Sequence, residues 1–118
     1  MKNNNIIVTK SRDFAVKIIR LYQFLSSEKK EYVLSKQILR SGTSIGANIK
    51  EAIRGQSKAD FYAKLNISLK ESSETEYWLD LLHETKYIND DLFQVMLSDN
   101  IELSKILTAI LKTRSKKT

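Results

Sequence analysis

Ser44, Asn48 and Glu51 stand at i, i+4 and i+7 in a run with helical spacing, so they share one helical face. Glu71 and Glu74 follow on a second helical stretch, and Arg40 or Arg54 can supply counter-charge. Two readings fit these groups. One is a buried polar network that fixes the register of two helices; the other is a ligand or RNA contact at their seam. Unpaired buried carboxylates are costly, and satisfied networks specify a single packing, which favours the network. His83 is the only histidine, and it shares a helical side with Glu76 and Asp80. The grouping looks metal-like, but a bundle di-iron site takes a Glu-x-x-His from each of two helices plus two further glutamates. Half of that ligand set is missing. Cysteine is absent, which excludes disulfides and thiolate metal sites. The lone histidine has no serine at a telling position for nucleophilic catalysis. The expectation is a chain with no catalytic residues, no metal and no cofactor.

The cations offer a different chemistry. Arg12, Lys17, Arg20, Lys36, Arg40, Lys50 and Arg54 are candidate phosphate contacts, against the alternative of scattered solubilising charge. Residues 1–70 carry a net charge of +9, residues 71–102 carry −8, and residues 103–118 carry +5, within a total of +6. Such asymmetry suits a polyanion partner or self-association of unlike faces. Binding would be mostly electrostatic and weakly sequence-specific. No P-loop, RRM, KH or zinc-finger pattern is present, so no base-reading mechanism can be named. Gly42 and Gly46 lie four apart inside a helical run; close approach by another helix explains them better than a phosphate cradle.

These residues need long helices to hold them. With 118 residues, no proline and three glycines, the chain reads as one all-α domain. Residues 1–8 read as a frayed lead-in. A first helix is predicted over 11–25, with Ser11 as N-cap and Phe14, Ile18, Leu21, Tyr22 and Leu25 as its apolar stripe. A second is predicted over 31–54, with a seam of Leu34, Ile38, Ser41, Ile45, Asn48 and Ala52. Gly55 would end it with a positive φ. Ser57 and Asp60 occupy capping-box positions for a third helix over 58–84. Its seam is Phe61, Leu65, Ser68, Ser72, Thr75, Leu79 and Leu82. The middles of both seams are small or polar, which allows two backbones to come close. Asn89 or Asp90 caps a fourth helix over 90–113, with Leu92, Met96, Leu103, Ile106, Leu107 and Ile110 inward, and a basic tail occupies 114–118.

The order and short links predict an antiparallel up-down-up-down four-helix bundle. The third helix would overhang the first, leaving apolar surface for other copies of the chain. Tyr77, Trp78 and Leu81 widen the apolar face there and are the candidate oligomer interface. No apolar run approaches the ~20 residues that span a bilayer, and the start is too short for a signal-peptide core, so the default location is the cytoplasm without membrane contact.

Three runs carry a family resemblance: Gln37–Ala52, Gln56–Phe61 and Ser68–Thr75. The centre is Ser44-Ile45-Gly46-Ala47-Asn48-Ile49-Lys50-Glu51. This resembles the bacterial four-helix-bundle family named for 23S rRNA intervening sequences, which includes the accessory variability determinant of diversity-generating retroelements. The likeness covers about residues 11–111. Ala52 departs from the glycine common there, a change confined to helix-end geometry. The resemblance implies a pentameric ring with a basic surface, and nucleic-acid and protein binding without known catalysis. It implies a reverse transcriptase partner for retroelement members. The expected function is therefore a non-enzymatic homo-oligomer, a pentamer by resemblance, that binds RNA or DNA backbones. The alternative is a scaffold that binds a protein partner such as a reverse transcriptase, with no direct nucleic-acid role.

Overall fold

A computed structural model describes the backbone of residues 2–116 and the side chains of residues 5–114. The described residues form four α-helices and no strand: α1 (Lys2–Ser27), α2 (Leu34–Ile53), α3 (Lys58–Glu84) and α4 (Asp90–Lys116). Helix α1 packs on α2 and α4, and α3 packs on the same two, so α1 and α3 sit on one diagonal and α2 and α4 on the other. Cross-helix pairs run in opposite numerical directions. Ser41 meets Thr75 while Ile45 meets Ser68, and Ser72 meets Asn100 while Tyr62 meets Thr113.

Helix α1 starts nine residues before its predicted start. Residues 2–10 hold neither glycine nor proline, and Ile7 extends the inward stripe by one more heptad. That stripe is Ile7, Ser11, Phe14, Ile18, Leu21 and Leu25, stepping by four and three, and every member is buried. Ser11 is thus not an N-cap. It lies inside the helix, with its hydroxyl donating to the Val8 carbonyl at 3.1 Å. The frayed lead-in and the overhang of α3 past a short first helix are corrected together: α1 has 26 residues against 27 in α3.

Helix α2 starts three residues later than predicted. Glu31 stays outside it and turns its carboxylate onto the amides of Leu34 at 3.1 Å and Ser35 at 2.8 Å. Those are orphan donors of the first turn, and a carboxylate there also suits the helix dipole. The inward face of α2 is Ser35, Ile38, Ser41, Gly42, Ile45, Ile49 and Ala52. Leu34 and Asn48, expected in that seam, are half-buried at its edges.

Gly55 does not use a positive φ; among the described residues only Lys30 (φ 55°) and Lys86 (φ 67°) do, after α1 and α3. The glycine is needed for closeness. A Cβ on Gly55 would stand 3.0 Å from the Ala52 carbonyl oxygen and 2.7 Å from the Asp60 carboxylate. Ser57 caps α3 by accepting from the Asp60 amide at 3.1 Å, and Asn89 caps α4 by accepting from the Leu92 amide at 2.8 Å. On α3, Tyr62 rather than Phe61 is buried; Leu65, Ser68, Ser72, Thr75, Leu79 and Leu82 complete the inward face. Helix α4 runs past Thr113 through Lys116. Arg114, expected in a tail, is helical and sets its guanidinium 5.4 Å from the Tyr62 ring centroid. Thr118 and Lys117, the end of that expected tail, lie outside the described residues.

The glycines of α2 mark the contact with α1. Gly42 faces fully buried Ile18, whose side-chain carbons lie 2.6–2.9 Å from where a Cβ would sit. Gly46 faces Ser11, with the nearest atom at 3.3 Å. Helix propensity favours alanine at both sites by up to ~1 kcal/mol, while overpacking a tight core costs ~1–3 kcal/mol. Urea denaturation should therefore separate them: Gly42→Ala destabilises the fold by about 1–2 kcal/mol, and Gly46→Ala is neutral or stabilising.

Candidate functional site

The predicted polar network divides into two layers in the structure. The buried layer is made of hydroxyls and one amide. Thr75 Oγ1 lies 2.9 Å from Ser41 Oγ, and Ser68 Oγ donates to the Ile45 carbonyl at 2.8 Å. Ser72 Oγ donates to Asn100 Oδ1 at 2.8 Å, and Asn100 Nδ2 returns a bond to the Ser72 carbonyl at 2.9 Å. Every buried side-chain nitrogen or oxygen among the described residues has a partner. Asn100 escaped the sequence reading because α4 looked apolar there. Its position four after Met96 and three before Leu103, in the middle of the stripe, was the available signal.

The outer layer is ionic. Arg40 Nη1 donates to Glu71 Oε2 at 2.8 Å, and its Nη2 reaches Glu74 Oε2. The same Glu74 oxygen accepts from the Trp78 indole at 2.9 Å. The remaining predicted members are elsewhere. Ser44 and Asn48 bond carbonyls of their own helix, those of Arg40 and Ser44, at 2.6 and 2.8 Å. Glu51 is exposed and pairs with Lys64 at 3.3 Å. Arg54 takes no part.

Trp78 is half-buried against the core of its own bundle and Leu81 is half-buried, while Tyr77 is 56% exposed with its ring 5.2 Å from that of Trp78. Of the three candidate interface residues, Tyr77 thus presents the most surface. His83 makes its contacts with α4. Its Nε2 lies 2.6 Å from Asp90 Oδ1, and its ring stacks on Phe93 with centroids 4.1 Å apart.

The seven candidate cations fall into separate settings. Lys36, Arg40, Thr43, Ala47, Lys50 and Arg54 step by four and three along α2, on the side opposite its buried face. They form one ridge that spans about 27 Å at ~1.5 Å per residue. Lys36, Lys50 and Arg54 on this ridge pair with no carboxylate among the described residues, nor does Arg20 on α1. Arg40 lies on the ridge but is already neutralised. Lys17 pairs with Asp99 at 2.6 Å, on the side of α1 that meets α4. Arg12 keeps a loose contact with adjacent Asp13 at 3.6 Å and shares a cleft with Lys50. An open depression at the α2–α3 turn is lined by Lys50, Arg54 and Lys64 together with the carboxylates of Glu51 and Asp60.

The ionic layer carries a pH signature. The Trp78 N–H and then the Arg40 guanidinium hold the Glu74 carboxyl below the usual glutamate range. The Glu74 hydrogen bond leads the effects that raise Arg40 above its ordinary value. A depressed carboxyl contributes stability that is present above its unfolded pKa, about 4.3, and is lost as pH falls through the folded value. Acid titration followed by the fluorescence of the sole tryptophan should thus show a transition below about pH 4.3. Glu74→Gln should abolish that transition and lower stability at neutral pH.

No described helix is long and apolar enough to cross a membrane. No curated protein matches the chain. A crystal structure of a protein of unknown function from the S23 ribosomal protein family of Bacteroides thetaiotaomicron is similar, with 55% sequence identity and a TM-score of 0.92. The match covers 93% of this chain and 98% of that one. Residues 3–109 match the family described as 23S rRNA-intervening sequence protein. With nearly the whole bundle inside that match, the chain belongs to the 23S rRNA-intervening sequence protein family.

Proposed function

We propose that this chain is a non-enzymatic, antiparallel up-down-up-down bundle that associates with copies of itself and binds RNA or DNA backbones through the outer ridge of α2. The carrying observation is that ridge: Lys36, Lys50 and Arg54 are exposed along one helix line and unpaired among the described residues. Unpaired cations cost no internal ion pair when a phosphate arrives, and each one that meets a phosphate releases condensed counterions. The family's name refers to intervening sequences of 23S rRNA, which supports an RNA setting. The opposite numerical directions of the cross-helix pairs support the antiparallel order.

Self-association rests on different surface. With α1 as long as α3, the overhang argument is gone, and the support is exposed Ile67 and Tyr77 on α3 and Val95 and Ile101 on α4. A pentameric ring is the form the family resemblance suggests, and it would repeat the ridge around an axis and add avidity. Exposed Tyr77, within the acidic stretch 71–102, also suits a second reading: a scaffold for a basic protein partner, a reverse transcriptase among them. A complex that survives nuclease treatment would favour the scaffold.

The test is a salt titration of binding to unspecific RNA and to duplex DNA, on protein whose solution mass is measured by light scattering. A mass well above the 13.6 kDa of one chain is expected. Three phosphate contacts per subunit give a log–log slope near −2 for a single strand. Lys50→Gln with Arg54→Gln should flatten it by about 1.4 per engaged subunit, while Arg40→Gln should leave the slope unchanged. A 13.6 kDa species would remove the assembly, and absent or salt-indifferent binding would remove the nucleic-acid reading.

A further inference from the structure

The cleft between α1 and α2 is built differently from the rest of the surface. It holds about 340 Å³, at the lower end of the ~300–1,000 Å³ typical of small-molecule sites. Its walls include Val8 and Ala15 from α1 and Gly46 and Ala47 from α2. Gly46 lies close against Ser11, where a Cβ would stand 3.3 Å from the hydroxyl. One cation borders it from each helix: Arg12 from α1 and Lys50 from α2. Lys50 is unpaired among the described residues, and Arg12 is only loosely engaged by Asp13 at 3.6 Å. Lys50 also belongs to the α2 ridge, so the cleft opens directly off the proposed backbone track.

We infer that this cleft receives a nucleobase from a single-stranded nucleic acid, with the flanking phosphates held by Arg12 and Lys50. The inference rests on the nucleic-acid reading of the ridge. Charge complementarity around a mostly apolar floor selects the occupant. An unstacked nucleotide within a strand suits the cleft, with a flat base whose faces are apolar and neighbouring phosphates for Arg12 and Lys50. A duplex does not, because its bases are paired and stacked inside while only phosphates face outward. Val8, Ala15, Gly46, Ala47 and Ile49 offer no side-chain polar group to a base edge, and the Ser11 and Thr43 hydroxyls beside them already donate to the Val8 and Leu39 carbonyls. These walls accept any base by contact and hydrophobic burial of its face, without aromatic stacking, so the cleft discriminates strandedness and not sequence.

The test compares a short mixed-sequence RNA strand with the same sequence as a duplex, by fluorescence anisotropy at several salt concentrations. The wild-type protein should bind the single strand at least about fivefold more tightly, a margin in keeping with burial of one apolar base face. Ala47→Leu and Ala15→Met fill the cleft from opposite walls without changing charge. Ala47 is exposed and both replacements are good helix formers, so helix content should stay at the wild-type level by circular dichroism. Each variant should lose the single-strand preference and keep the wild-type salt slope. Arg12→Gln with Lys50→Gln should instead flatten the slope by about 1.4 for each engaged subunit. Equal affinity for strand and duplex, or full single-strand preference in both filled variants, would overturn the cleft while leaving ridge binding in place. No binding of either form at low salt would overturn the nucleic-acid reading, and the cleft with it.

Discussion

The contact between α2 and α3 depends on hydroxyl groups buried where leucine would normally sit. Ser41, Ser68, Ser72 and Thr75 are all at most 2% exposed, and each finds its partner on the neighbouring helix or its own backbone. Small side chains let the helix backbones come close; the hydrogen bonds then make one register better than its neighbours. A slip by one turn would strand several hydroxyls in an apolar interior, at about 1–3 kcal/mol for each unsatisfied group. Apolar packing alone tolerates such slips more readily. Asn100 extends the same logic to α4, because its amide both accepts from Ser72 and donates to it.

That register decides what the surface offers. With Ser41 and Ile45 fixed against α3, and Gly42 and Gly46 fixed against α1, the remaining side of α2 must face outward. Lys36, Arg40, Lys50 and Arg54 lie on it. Arg40 illustrates how position decides role. It has the same charge and helix line as Arg54, yet it lies within reach of Glu71 and Glu74 and is consumed by the interhelical lock. The ridge is therefore positive at its two ends and compensated in the middle.

Much of this could be read from the chain. The four-helix all-α fold followed from the scarcity of glycine and proline and from the four-three spacing. Six of the seven seam residues expected on α3 are its buried ones. Three of the errors share a cause: each lay where a side chain acts outside its usual type. Ser11 looked like a cap because serine favours helix starts, but the stripe through Ile7 and Phe14 runs across it. Glu31 looked helical, although its carboxylate serves the helix best from outside. Gly55 suggested a left-handed turn where lack of a Cβ was the requirement, and two lysines take the left-handed positions. For the site, sequence spacing could place residues on one helix face. It could not say which cations α3 and α4 would neutralise, since that depends on the rotation of each helix against its neighbours.

The account is tested most directly by a double-mutant cycle on the buried α2–α3 seam, using Ser41→Ala, Thr75→Val and the pair, measured by urea denaturation. If these groups set the register, the single changes cost more than the pair implies, and the coupling is about 1 kcal/mol or larger. Additive losses with coupling near zero would mean that apolar packing alone positions the helices, and the orientation of the basic ridge would lose its physical basis.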